Sequence, residues 1–240
     1  MGFTETGQKT SPEEHARRVR EMFARISRRY DLLNHVLSVN VDKRWRQRVV
    51  KRLQVLMPPK AQVLDVGCGT GDLSIELFDK TAADVIGLDF CGPMLQLARQ
   101  KAPQLRFIEG DALKLPFPDA SFHMMTVGFV LRNLSSVSGG LAEFKRVLRP
   151  GGWLAILEFS QPTVPGVRQL VRFYYSSLLP RIGGALSGSR SAYQYLPDSI
   201  AKFPDQETLA GMMRATGYDE VGFENLSGGI AALHLGRRAE

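Results

Sequence analysis

Cysteine is nearly absent: the 240 residues hold two, Cys68 and Cys91. Two thiols cannot form a disulfide framework, and both fall in expected strand-to-helix turns rather than at a zinc spacing, so free thiols are expected. Long hydrophobic runs are missing as well. The longest apolar stretches, such as Trp153–Leu157, fall far short of the roughly 20 residues that a membrane helix needs. The polar first residues carry no apolar signal core, and a cytoplasmic protein is expected. His15, His35, His123 and His234 make no metal-ligand spacing, and no H-E-x-x-H occurs, so no metal is expected. No internal repeat or low-complexity tract is found. With 44% hydrophobic and 23% charged positions, disorder as the main state is excluded.

What is present in excess is positive charge, and the excess is local. The net charge is +7, yet residues 1–60 alone hold 14 Lys and Arg against 6 Asp and Glu, a net of +8 that leaves −1 for the remaining 180 residues. That layout is a cationic arm on a nearly neutral body. Nucleic acid, an anionic membrane surface and plain solubility are all compatible with it. Between Arg17 and Leu33 the apolar positions Val19, Met22, Phe23, Ile26, Tyr30 and Leu33 step by three and four, with arginines mostly between them, which predicts an amphipathic helix. Ser11-Pro12-Glu13-Glu14 supplies its start, and residues 1–10 are expected to fray. A second helix, over Asp42–Leu56, stops at Pro58-Pro59. These features divide the chain into a basic helical cap, 1–57, and a main domain, 58–240.

From Gln62 short apolar runs alternate with helical stretches: Val63–Val66, Leu73–Lys80, Val85–Leu88, Met94–Gln100, Leu105–Ile108 and Met124–Val127. A helix near Leu141–Leu148 and, after the turn Pro150-Gly151-Gly152, the strand Trp153–Glu158 continue the series. This predicts an α/β fold, a mostly parallel sheet covered on both faces. Tyr218–Leu226 and Ile230–Gly236 flank Ser227-Gly228-Gly229, a C-terminal antiparallel hairpin. Residues 161–204 break the alternation. They carry Phe173, Tyr174, Tyr175, Tyr193, Tyr195 and Phe203, either as core aromatics or as the lining of a pocket, and Tyr195 is the one assigned to a pocket.

The strand Val63-Leu64-Asp65-Val66 runs into Gly67-Cys68-Gly69-Thr70-Gly71, a turn with little side chain that lets backbone N–H groups approach a ligand. Its spacing is G-x-G-x-G, not the G-x-G-x-x-G of a dinucleotide fingerprint, which disfavours an NAD oxidoreductase. The second strand ends in Asp89, 18 residues after Gly71, where a carboxylate can accept both protons of a ribose diol. The third ends at Gly110-Asp111-Ala112, where another can accept an adenine amine. Loop, ribose acid and base acid together outline a nucleoside-shaped site.

These residues resemble the class I S-adenosylmethionine-dependent methyltransferases, with Leu64–Gly71 as their first motif and Gly87-Leu88-Asp89 as their second. Further stretches narrow the resemblance: Arg29–Asn34, Asp42–Arg46 with Trp45, Leu115-Pro116-Phe117, Leu131-Arg132-Asn133, Arg149–Gly152, Leu157–Ser160, Tyr195–Ser199 and Gly229–Gly236. Together they are similar to the ubiquinone/menaquinone C-methyltransferase family over residues 20–238. The resemblance implies a Rossmann-like fold, S-adenosyl-L-methionine as cofactor, and methylation of a ring carbon of a polyprenylated quinol, chiefly demethylmenaquinol to menaquinol. Asp65, Gly67, Gly69, Thr70, Asp89, Asp111, Ala112 and Gly128 would bind the cofactor. One departure stands out: the family usually has Ser-Phe-Gly-Leu-Arg-Asn where this chain has Gly128-Phe129-Val130-Leu131-Arg132-Asn133.

A ring carbon is a poor nucleophile until a conjugated hydroxyl loses its proton, so a cation beside the developing phenolate favours reaction. Arg132 is assigned that charge, Asn133 the orientation of the other oxygen, and a water or Asp31 the proton removal; Tyr195 completes the catalytic set. The plain alternative for Arg132 is an ion pair with a surface acid. The basic helix would cover the site mouth and meet an anionic membrane peripherally at its inner face. Another small-molecule methyltransferase of this fold is the first alternative. A nucleoside-binding module without catalysis is another. A nucleic-acid enzyme ranks low, since no Asn-Pro-Pro-Tyr loop occurs and Cys91 is not placed as a base-attacking nucleophile, so no nucleic-acid partner is expected. A homodimer is left open.

Overall fold

The computed structural model describes residues 11–38, 40–174 and 190–240. The expected fraying of residues 1–10 and the ring of Tyr175 lie outside the described residues. So do the side chains of Arg28, Arg29, Leu33, Phe173 and Tyr193. Two helices come first, α1 (Pro12–Ser38) and α2 (Val41–Leu56). The alternation follows as β1 (Gln62–Val66), α3 (Asp72–Lys80), β2 (Asp84–Asp89), α4 (Gly92–Lys101), β3 (Arg106–Glu109) and β4 (Phe122–Gly128). A 3-10 turn, Leu131–Asn133, leads to α5 (Val137–Val147), β5 (Leu148–Phe159), α6 (Pro165–Phe173), α7 (Arg190–Lys202), α8 (Gln206–Ala215), β6 (Tyr218–Leu226) and β7 (Ala231–Arg238).

The seven strands form one sheet in the order β3-β2-β1-β4-β5-β7-β6. The first five are parallel; β7 runs antiparallel to both β5 and β6. Side chains alternate across each strand, and that alternation divides the core into two layers. Val63, Val85, Met124, Ala155 and Leu233 face α2, α3 and α4, where Trp45, Leu53, Leu77 and Leu95 cover them. Leu64, Ile86, Met125, Leu154 and Ile156 face α5 and α8, under Phe144, Leu209 and Met213. Both faces are buried, so the strands read as near-continuous apolar runs.

Two details depart from the sequence reading. Helix α8 was missed, although Asp205 caps it by accepting from Thr208 N at 2.9 Å, because its apolar stripe is short. Strand β5 begins at Leu148, before the turn: Phe122 pairs with Leu148 and Met124 with Trp153, so Arg149–Gly152 bulge out of the ladder. Phe203 is buried in the α5/α8 layer of the core, one of the two places weighed for it.

Candidate active site

The C-terminal ends of the parallel strands converge on the glycine loop. Gly67 N and Cys68 N both donate to Leu88 O, at 2.6 and 3.0 Å, which joins the ends of β1 and β2. Gly67 has φ +66°, and a Cβ there would stand 2.1 Å from Val130 Cγ2, so no other residue fits. Gly69 also has positive φ, but a Cβ would meet nothing nearer than Tyr30, at 4.0 Å. One glycine therefore closes the fold while the next opens a cradle beneath α1.

Asp89 is buried at the rim of that cradle. Its Oδ2 accepts from Gly69 N and its Oδ1 from Cys91 N, both at 2.8 Å. Burial raises its pKa, and these backbone donors pull the other way. A carboxylate has about four lone-pair sites, so beside its backbone donors Asp89 can still accept from a ribose. Asp111 is exposed beyond β3, where Oδ1 accepts from Leu113 N at 2.8 Å, and Ala112 is buried behind it. This donor and acceptor set fits an adenosyl group.

Asp65 is buried, and its oxygens accept from Ser74 Oγ at 2.6 Å and Thr126 Oγ1 at 2.7 Å inside the α3 layer. Burial pushes its pKa up to about 6. It braces β1 against β4 and α3. Thr70 and Asp31 meet: Thr70 Oγ1 donates to Asp31 Oδ1 at 2.5 Å, and Lys101 Nζ lies 2.6 Å from Asp31 Oδ2. Thr70's hydroxyl is thus engaged by α1, and Asp31 is paired with an ammonium. Lys101, which sequence reasoning missed, also reaches Asp72 at 2.8 Å.

At the end of β4, Gly128 has room: a Cβ would meet only Leu73 Cδ2, at 3.6 Å. Phe129 has φ +60°, a conformation costing about 1–2 kcal/mol for an L residue. It aims its carbonyl at the next turn, where it accepts from Arg132 Nη1 at 2.6 Å and Asn133 Nδ2 at 3.3 Å. Arg132 pairs with Glu158 of β5 at 2.6 Å. This partner is a buried acid rather than the surface acid weighed from sequence. Arg132 Nε is buried and meets no acceptor among the described residues. Asn133 Oδ1 accepts from Tyr195 Oη at 3.0 Å, while His15 Nε2 of α1 lies 3.1 Å from Asn133 O. Thus α1 and α7 both close on Asn133. Arg132, Asn133 and Tyr195 come together; Asp31 lies apart, at the glycine loop. Glu158 was not singled out from sequence, although it stands next to the end of a buried strand.

The sheet order with its antiparallel last strands is that of the class I methyltransferases. A SAM-dependent methyltransferase from Thermotoga maritima superposes with a TM-score of 0.65 at 18% identity, over 91% of this chain and 99% of its own. A phosphoethanolamine N-methyltransferase from Haemonchus contortus does so at 0.59 and 13%, over 80% and 52%. At such identities the likeness is one of fold. The chain belongs to the ubiE/COQ5 methyltransferase family, whose model matches residues 10–238. It is 46% identical to a demethylmenaquinone methyltransferase of Deinococcus radiodurans over 229 residues, covering 93% of this chain and 94% of that protein. The demethylmenaquinone methyltransferase of Thermus thermophilus is 45% identical, over 90% and 100%.

Proposed function

We propose that this enzyme transfers a methyl group from S-adenosyl-L-methionine to a ring carbon of a polyprenylated quinol, converting demethylmenaquinol to menaquinol. The observation that carries this reading is the 46% identity to a demethylmenaquinone methyltransferase along nearly the whole of both chains. The cofactor supplies a methyl already activated on a sulfonium, so the protein's work is alignment and activation of the acceptor. Asp89 takes the ribose hydroxyls, the Gly69 cradle admits the adenosyl group, and Asp111 accepts from the adenine amine. Arg132 stabilises the phenolate through the edge of its guanidinium that lacks a partner, and Asn133 orients the second oxygen. A buried donor left unmade costs about 1–3 kcal/mol, which a ligand oxygen at Arg132 Nε would relieve. The hydroxyl proton leaves through water or Asp31.

The substrate's tail is a lipid, and the basic helix α1 is the surface that meets the membrane. Among the described residues no helix is long and apolar enough to cross a bilayer. Leu32 on α1 is 60% exposed and Leu170 on α6 67%, apolar positions on helices that also carry arginines, which suits an anionic interface. Flotation with anionic vesicles at low salt tests this; no preference over neutral vesicles overturns it.

The reaction is tested by incubating the protein anaerobically with labelled S-adenosylmethionine and demethylmenaquinol. Labelled menaquinol is expected. Cofactor binding without a methylated quinol would point to another small-molecule acceptor.

A further inference from the structure

Glu158, next to the end of β5, has 1% of its side chain exposed, and Arg132 lies against it with 7%. Glu158 Oε1 accepts from Arg132 Nη1 at 2.6 Å and from Phe159 N at 2.8 Å, and Oε2 accepts from Arg132 N at 3.4 Å. One carboxylate thus holds both the backbone and the side chain of Arg132. The remaining guanidinium hydrogen bond, to Phe129 O, also leaves from Nη1. Among the described residues every hydrogen bond of the guanidinium therefore converges on one nitrogen. The Phe159 ring, 5.2 Å from the guanidinium carbon, supports its face, and Nε is left without an acceptor.

An arginine fork binds an oxyanion through two neighbouring N–H groups in one plane. Anchoring Nη1 fixes that plane and keeps the Nε side for a ligand. The anchor also matters for charge, because a lone buried guanidinium would be costly and would attract any anion, whereas the pair is neutral. We propose that Glu158 is the positioning residue of Arg132: it selects which edge of the guanidinium meets the quinol oxygen, and its negative charge limits how strongly Arg132 acidifies the quinol hydroxyl. This rests on the proposed quinol chemistry. Burial raises the pKa of Glu158 while Arg132 opposes that rise. The other titratable groups at this turn are Tyr195 of α7, whose pKa burial pushes up, and His15 of α1, through Asn133 O.

The sign follows from Coulomb's law: removing the carboxylate's charge leaves Arg132 uncompensated and makes a bound hydroxyl more acidic. The test binds 1-naphthol to the protein without cofactor and follows the naphtholate absorption against pH. The same titrations in His15→Gln and Tyr195→Phe backgrounds remove the two other titratable side chains that bond to this turn. Glu158→Gln, which keeps an acceptor for Nη1, is expected to lower the pKa of bound naphthol by about one unit or more, and Arg132→Gln to raise it. In turnover, the acid limb of kcat in Glu158→Gln moves to lower pH. A role in folding alone would lower the active fraction and leave both pH values in place, and that result overturns the proposal. If Arg132→Gln leaves the naphthol unchanged, the phenolate reading falls and this one with it; if Arg132→Gln raises the pKa and Glu158→Gln does not lower it, only the role of Glu158 falls. Wild-type protein that binds no naphthol overturns both. Should Glu158→Gln not fold, Glu158→Asp serves, since it keeps the charge and shortens the reach. Its kcat is expected to drop about tenfold or more, as misplacement by about 1 Å does elsewhere, with the naphthol pKa unchanged, and an unchanged kcat counts against the proposal.

Discussion

The hydroxyl of Thr70, in the loop after β1, donates to Asp31 of α1 at 2.5 Å, across 39 residues of sequence. Through this bond, and the Lys101 ammonium on the same carboxylate at 2.6 Å, the first long helix is fastened to the glycine loop. At its other end α1 touches the Arg132 turn through His15 and Asn133 O. The helix therefore runs from the glycine loop to the Arg132 turn and contacts both.

Asp89→Asn is expected to weaken S-adenosylmethionine binding while leaving the fold intact. A hydrogen bond to a charged group contributes about 1.5–3 kcal/mol, so calorimetry should show a loss of about tenfold to a hundredfold. Affinity unchanged within a factor of two removes the ribose assignment. Because burial raises the pKa of Asp89, wild-type affinity should also start to fall at a higher pH than for an ordinary aspartate as the solution is acidified.

Arg132→Lys should lower kcat more than it raises KM, since lysine keeps the charge and loses the planar fork. Losing one preorganised donor to an oxyanion costs on the order of 10² in rate. Arg149 makes a poor control, because it bonds Gln62 Oε1 at 2.8 Å and His123 Nε2 at 2.7 Å at the far end of the sheet. Arg106, in an exposed pair with Asp84, is the better one. Equal kinetics for Arg132→Lys and Arg106→Lys would exclude phenolate stabilisation by Arg132.

Gly128→Ser restores the residue usual in the family. The space beside Gly128 is open and its φ is ordinary, so the variant should fold as well as the wild type. A new hydroxyl hydrogen bond contributes about 0.5–1.5 kcal/mol, and cofactor affinity should rise by up to about tenfold. Weaker binding in calorimetry would mean that the serine points away from the ligand.

Asp65→Asn tests the buried carboxylate by pH. Its pKa is 3.8 in the unfolded chain and about 6 in the fold, so the native state binds the proton more tightly. Stability from this group is present below pH 3.8 and is lost as pH rises through about 6. The loss amounts to about 3 kcal/mol at 1.36 kcal/mol per pH unit. Urea unfolding of wild type and variant between pH 4 and 7 should therefore diverge, with Asp65→Asn gaining relative stability toward neutral pH. Parallel curves would mean that Asp65 is ionised at no cost.

Much of the fold was legible because it is written locally. The runs Val63–Val66 and Val85–Leu88, punctuated by glycine and aspartate, specify buried strands and the turns after them, and strand ends in such a fold collect at one edge. Asp89 and the Gly67–Gly71 turn were legible for the same reason. Sequence marks Asp65 as part of a glycine motif, and only strand alternation shows that its side chain turns to the side covered by Ser74. Helix α8 escaped notice since ten residues carry little periodic signal.

By itself the sequence determined the alternation of strands and helices, the glycine turn, the acids that end the strands and the basic first helix, since each is a pattern within a few residues of chain. Only the tertiary structure decided which charges meet. Arg132 and Glu158 are 26 residues apart, Asn133 and Tyr195 62, and His15 and Asn133 118. No period or motif encodes such pairs. They arise because the sheet's strand order and the helices that cross its edge bring remote segments together, where burial leaves each charged or polar group to find a partner from whatever chain lies beside it.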